Sequence, residues 1–223
     1  MSSQPVPFLP LAFFHLLCHL MARPILARIL ALFAVSWALA YSKSLSELRY
    51  TATVPQTTWE TCGAAALATL HRLLGLEATE GEMLERALRH QEGLKGGLNA
   101  LSLVRASGER GLPLRGYRMD SEALRAYFAR GGLPVILHVT RPELHWVVGV
   151  ALVGEHLVLA DPSWGRRILP LPALAGEKGW SGVTLVPEPP LLLVPRGRAA
   201  QGEWAAWAQA RLRRLEALGG RLP

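Results

Sequence analysis

Between Cys62 and Leu74 the chain reads Cys-Gly-Ala-Ala-Ala-Leu-Ala-Thr-Leu-His-Arg-Leu-Leu, and no other stretch constrains the fold as much. Alanine and leucine are strong helix formers. Ala66, Leu67, Leu70, Leu73 and Leu74 recur at helical spacing, which predicts an apolar helix over 62–74. Thr61 stands where an N-cap belongs and Gly75 where a helix stops. A lone thiol, Cys62, therefore sits in the first turn of this helix, with Gln56 six residues before it.

The rest of the chain supplies partners for that helix. Ahead of it, the alternation from Tyr50 to Val54 reads as a lead-in strand. Thr79-x-x-Glu82 fits a capping box and opens a helix to about Gln91. A third helix spans about 98–109, after a loop marked by Gly93, Gly96 and Gly97. Past Gly111 and Pro113 the pattern changes. Residues 114–118 are a short strand, and residues 121–130 a helix with Asp120 as its cap. Residues 133–139 and 145–153 are rich in valine and isoleucine and read as strands. Gly154-Glu155 is a hairpin turn returning through residues 156–160. Short extended pieces follow at 166–169 and 183–186. Helices first and an antiparallel sheet after them give an α+β fold, with N-terminal helices packed on the sheet.

At 223 residues with half of them apolar, the chain has enough sequence for one sizeable core. We expect one domain at 41–187 flanked by two different segments. Residues 1–40 hold two apolar runs, 8–20 and 29–40, each short of the roughly 20 residues that span a bilayer. From Met21 the order is that of a secretory signal: Arg23 and Arg28, an apolar middle, then Ala38-Leu39-Ala40 before Tyr41. The expectation is a signal peptide with a true start at Met21; the alternative is an uncleaved anchor that ties the N-terminus to a membrane. Either places the domain beyond the inner membrane. Residues 188–223 read as a proline-rich linker, with Pro189, Pro190 and Pro195, then an amphipathic helix over 203–218. Trp204 and Trp207 near Arg211, Arg213 and Arg214 on that helix fit packing against the domain or, as a second reading, contact with a membrane surface.

The net charge is +7, but the arginines are scattered singly and in pairs without interleaved aromatics. That pattern argues against a nucleic-acid partner and for a basic exported protein. The two cysteines, Cys18 and Cys62, form no Cys-x-x-Cys, which argues against a zinc ribbon or redox dithiol. Removal of the leader would leave Cys62 as the one thiol.

Unpaired amides and the macrodipole at a helix N-terminus favour an anion, and the thiolate is the nucleophilic form of cysteine. Gly63 beside it leaves room for a substrate backbone. A buried cysteine on an alanine-rich helix is the commoner reading of Cys-Gly alone. Of the seven histidines, His145 is the best base: it begins a strand just after a loop, where site residues concentrate. If the hairpin turns near 153–155, His145 faces Asp161 to Ser163 at its open end, about 5 Å away. A carboxylate there would orient the imidazole, although Asp161-Pro162 by itself is an ordinary turn opening. Gln56 can donate its amide, with the Cys62 N–H, to a developing oxyanion.

Three blocks together resemble the papain-like bacteriocin-leader (double-glycine) cysteine peptidase family: Gln56-x5-Cys62-Gly63-Ala64-Ala65, His145-Trp146-Val147-Val148-Gly149-Val150, and Leu159-Ala160-Asp161-Pro162-Ser163-Trp164-Gly165. The resemblance covers about 50–187. It implies a papain-like fold, Cys62 as nucleophile, His145 as general base and acid, Asp161 as orienting carboxylate, Gln56 as oxyanion donor, a peptide substrate and no metal or other cofactor. Many members are fused to a peptide-exporting ATPase; this sequence holds no G-x-x-x-x-G-K loop and no long membrane domain, so it resembles a stand-alone, exported member. The competing expectations are a non-catalytic peptide-binding module of the same fold and a transglutaminase-like acyl transferase.

Overall fold

The computed structural model describes residues 44–219. The chain divides into two units, Met1–Leu45 and Ser46–Pro223. The expectations for the leader, including the start at Met21 and the cleavage before Tyr41, lie outside the described residues. Among the described residues no helix is long and apolar enough to cross a membrane.

The second unit is built around α2 (Cys62–Leu73), preceded by α1 (Leu45–Arg49) and a 3-10 turn at Trp59–Thr61. Apart from Arg72, every residue of α2 is buried. Each fully buried leucine here contributes about 1.5–3 kcal/mol. Helices α3 (Glu80–Leu88) and α4 (Ala100–Glu109) follow, then β1 (Leu114–Arg118) and α5 (Ser121–Ala129). Next come β2 (Val135–Val139), β3 (His145–Val153), β4 (His156–Asp161) and β5 (Gly165–Pro170). The chain ends with α6 (Leu171–Gly176), β6 (Trp180–Pro187) and α7 (Val194–Ala217). The six strands form one sheet in the order β1-β6-β2-β3-β4-β5, antiparallel throughout.

Both faces of the sheet are covered, and the two-residue period of the strands sorts the core accordingly. Trp146, Val148, Val158 and Ala160 pack with α2 on one face. Val147, Leu157 and Leu159 pack with Leu171 and Leu174 of α6 on the other. The α+β expectation of helices on an antiparallel sheet is met.

Local chemistry explains the caps. Thr79 accepts from the Glu82 N–H at 3.2 Å, but the Glu82 carboxylate turns to Arg86 and Arg110 instead of closing the box. Asp120 caps α5 through the Ala123 N–H. Thr61 precedes α2 without capping it; its hydroxyl is used inside the 3-10 turn, donating to Thr58 O at 2.9 Å.

Three local expectations fail for physical reasons. The segment 50–54 is a turn, not a strand: Tyr50 N–H goes back to Ser46 O, and Val54 N–H is taken by the Thr69 hydroxyl of α2, so no strand edge is left to pair. Helix α6 lies in a stretch to which the sequence expectations assign no element; Pro172 sits in its first turn, where a missing N–H costs nothing. Helix α7 starts at Val194 instead of Glu203, again with proline in its first turn. Its Trp204, Ala208 and Leu212 are buried. Trp207 lies under the Arg166 guanidinium, 4.7 Å from the ring centroid. The helix therefore packs its tryptophans onto the domain.

Candidate active site

Cys62 opens α2 and is 2% exposed. The segment leading into it is fastened at two places. Gln56 N–H donates to Pro162 O at 3.1 Å, and Thr57 N–H donates to the Glu80 carboxylate at 2.8 Å. The helix start is therefore held between the β4–β5 turn and the start of α3. Gly63, expected to leave room for substrate, instead faces inward. A Cβ there would stand 3.1 Å from Trp146 and 3.2 Å from Leu98, so glycine lets α2 approach the sheet closely.

His145 is the first residue of β3 and Asp161 the last of β4. The hairpin pairs Val153 with His156 and, past a bulge near Val150, Val148 with Ala160. Continued in that register, His145 stands opposite Ser163 and reaches Asp161 diagonally. Its Nε2 lies 3.0 Å from Asp161 Oδ1. Cys62 lies close enough to the same imidazole to act on its protonation, and with Nε2 engaged by the carboxylate, Nδ1 is the nitrogen left for the thiol. Burial pulls the imidazole down. The hydrogen bonds and charges of Asp161 and Cys62 outweigh it, and His145 is pushed up to about 9. Burial works against the Asp161 carboxylate too, but His145, the Ser163 N–H at 2.9 Å and Arg167 hold it below the ordinary carboxylate value. His138 offers no such arrangement: its Nδ1 is bonded to the Ser181 hydroxyl, and burial, then the charge of His145, lower it.

The Gln56 side chain is fixed by a residue that local sequence reasoning did not single out. Ser163 Oγ donates to Gln56 Oε1 at 3.0 Å. That bond settles the orientation of the amide and leaves Nε2 as a donor with no acceptor among the described residues. Ser163 is in turn held by its own carbonyl, which accepts from the Tyr50 hydroxyl at 2.7 Å. Arg49 donates to Trp164 O at 2.7 Å and lies over the Trp164 ring. Gly165 completes the turn. It has φ +75, and a Cβ would fall 2.1 Å from Arg49 O, so no other residue fits. The Asp161–Gly165 block thus carries the carboxylate, the amide's partner and the docking point for residues 49–56. Its sequence signal was the block itself; the partners of Ser163 lie more than a hundred residues away.

Gln56, Cys62, His145 and Asp161, all expected from the sequence, are brought together. The arrangement presents a thiol against an imidazole, an imidazole against a buried carboxylate, and a free amide donor nearby. Among the described residues no group of three or more His, Cys, Asp or Glu side chains is placed to hold a metal ion.

The chain is 30% identical over 145 residues to a probable functional amyloid protease, FapD, of Pseudomonas aeruginosa, covering 63% of this chain and 62% of that relative's length. It is 32% identical over 116 residues to an uncharacterized protein of Methanothermobacter marburgensis, covering 51% of this chain and 72% of the relative. Among solved structures, the peptidase domain of Streptococcus ComA, a bifunctional ABC transporter, superposes with a TM-score of 0.53 at 22% identity, covering 62% of this chain and 98% of that domain. That likeness supports the fold, a papain-like peptidase arrangement. The model of the peptidase C39 family matches residues 50–191 of the 223, a span that contains all four site residues and the whole sheet. The chain belongs to the peptidase C39 family.

Proposed function

We propose that this chain is a cysteine peptidase that hydrolyses peptide bonds with Cys62 as nucleophile, His145 as base and acid, Asp161 as orienting carboxylate and Gln56 as oxyanion donor. The observation that carries the reading is the His145–Asp161 hydrogen bond at 3.0 Å, with Cys62 close enough to act on the same imidazole and the Gln56 amide held by Ser163 beside them. Cys62 stands at the first position of α2 with the His145 imidazole beside it.

The steps follow from those positions. The Cys62 sulfur attacks the substrate carbonyl, and the carbonyl oxygen gains charge that Gln56 Nε2–H and the Cys62 N–H stabilise. The carbon–nitrogen bond breaks as His145 gives its proton to the departing amine. Water then attacks the thioester, His145 takes a proton from it, and the acid leaves with the thiol restored. Asp161 keeps Nδ1 aimed at the sulfur and steadies the imidazolium.

The substrate is a polypeptide. The relative FapD is described as a probable functional amyloid protease, and the sequence blocks resemble leader peptidases, so an exported peptide processed beyond the inner membrane is the substrate class we favour. The test is mass spectrometry of exported peptides from cells carrying the wild type, Cys62→Ala or His145→Ala, with circular dichroism to check the folds. Fragments should vanish in both variants. Fragments that persist unchanged in folded Cys62→Ala would sink the reading.

A further inference from the structure

Two clefts flank the site, and Leu144 stands between them as the residue that lines both. One is lined by the Gly96–Gly97 loop, Leu98 and Trp146. Leu98 and Trp146 are the side chains packed on Gly63, next to the nucleophile. Through them this cleft adjoins the residue after Cys62, so the acyl fragment of a thioester intermediate is assigned to this side. The other is a cavity of about 140 Å³. It touches Gln56, His145 and Asp161. It lies on the side of the group that protonates the departing amine, so it is where the released fragment begins.

This second cavity has a distinct chemistry. Its floor is apolar: Val139, Val147 and Leu159 from the sheet, and Leu174 from α6. Its rim carries Arg141, Arg167 and Lys178. Against these stand Asp161, buried and engaged by His145, and Glu143, which forms no ion pair with any of the three. Arg141 spends one nitrogen on Gly176 O at 2.7 Å. Arg167 reaches Asp161 only at 3.4 Å. The Lys178 ammonium has no partner among the described residues. The wall is rigid: Arg141 N–H donates to Lys178 O at 3.0 Å, and the Thr140 hydroxyl to Gly179 O at 2.7 Å. Gly179, at φ +62, lets those two loops meet; a Cβ would come 2.5 Å from Thr140 Oγ1.

We propose that this cavity receives the side chain of the first residue of the released fragment, and that Arg141, Arg167 and Lys178 make it select an acidic one. The proposal rests on the peptidase reading. The apolar floor contacts the methylenes of a glutamate while the carboxylate stays at the cationic rim, partly solvated. That avoids the cost of burying an unpaired charge.

The experiment uses the full chain and a library of peptides with randomised central positions, with fragments identified by mass spectrometry. Fragments that disappear with Cys62→Ala should start with Glu or Asp about fivefold more often than chance, the scale of one or two partly exposed ion pairs. The preference should shrink in high salt, weaken in Lys178→Ala, where Arg141 and Arg167 remain, and be lost in Lys178→Glu. Cys62-dependent fragments without acidic enrichment, or enrichment unchanged in both variants, overturn the proposal and leave the peptidase reading standing. Fragments that do not depend on Cys62, or no fragments, count against the peptidase reading. In that case protection of Cys62 from iodoacetamide decides on the cavity: short peptides beginning with Glu should protect better than those beginning with Lys, and equal protection overturns the assignment.

Discussion

His71 couples the helix that carries Cys62 to the pH of its surroundings. It lies in the last turn of α2 and is fully buried. Its Nε2 is 3.0 Å from Ser107 Oγ, which itself donates to Leu112 O at 2.6 Å. The imidazole therefore donates through Nε2, and Nδ1 is buried with no partner. A proton on Nδ1 would create a buried cation with an unanswered N–H. Burial, with Arg110 and Arg86 adding to it against Glu82, lowers His71 from 6.5 to about 4. Between those values the unfolded chain binds more protons than the folded one. Stability is thus fully present above 6.5 and is lost as pH falls toward 4. The full separation corresponds to about 3 kcal/mol, of which about 2 kcal/mol is already gone at pH 5. That is a large share of a domain stability of about 5–15 kcal/mol. His71→Leu removes the titration, keeps similar volume and leaves Ser107 bonded to Leu112. Urea unfolding of both proteins from pH 7.5 to 4.5 is the assay. The wild type should lose about 2 kcal/mol more than His71→Leu between pH 7.5 and 5, since other carboxylates titrate equally in both. Parallel pH curves for the two proteins would refute the argument.

The remaining predictions concern the site. Gln56→Ala should lower kcat by about 10²–10³, as removal of one oxyanion donor does. Ser163→Ala removes one hydrogen bond worth about 0.5–1.5 kcal/mol and should lower kcat about three- to tenfold; in the Gln56→Ala background its effect should disappear, and equal losses in both backgrounds would show that Ser163 does not act through Gln56. Cleavage should fall as pH rises through about 9, where His145 loses its proton, because the departing amine then has no donor. The stability contributed by its pairing with Asp161 is fully present below 6.5 and lost over the same rise. Asp161→Asn should move that alkaline limb to lower pH, and a limb that stays in place would remove Asp161 from the mechanism.

Much of the site was legible because each member carries a local signal. Cys62 begins an apolar helix, His145 follows a loop into a strand, and Asp161 lies where the hairpin register brings it back. The register held because the turn at Gly154-Glu155 is tight; the bulge near Val150 moved the pairing by one residue, too little to separate the two groups. What was illegible depends on distant partners. Val54 was read as strand because its alternation is real, yet its N–H is claimed by Thr69 on α2. Gly63 was read as space for substrate because glycine beside a nucleophile suggests it, yet Trp146, more than eighty residues away, fills that side. Ser163 looked like a turn residue because its hydroxyl acts on Gln56, 107 positions earlier.

Those distant contacts converge on the β4–β5 turn, which explains why Cys62, His145 and the Gln56 amide arrive in register although they come from separate parts of the chain. Asp161 orients His145 from the turn's first position, and the Ser163 hydroxyl orients Gln56 two positions later. The Ser163 N–H meanwhile caps Asp161 Oδ1, the same oxygen that faces the imidazole. Any movement of the turn would therefore displace the base and the amide together, preserving their relation to each other while changing their relation to Cys62. The segment 49–56 opposes that movement: Arg49, Tyr50 and the Gln56 N–H all bond to carbonyls of residues 162–164. Because Gln56 leads within six residues into Cys62, the tie closes a ring from thiol to imidazole to carboxylate to turn to amide and back to thiol. In such a ring the precision of the site rests on five short links, not on the rigidity of the whole domain. Within the turn, Gly165 has no substitute, since only a residue without Cβ lets the turn sit against Arg49 O.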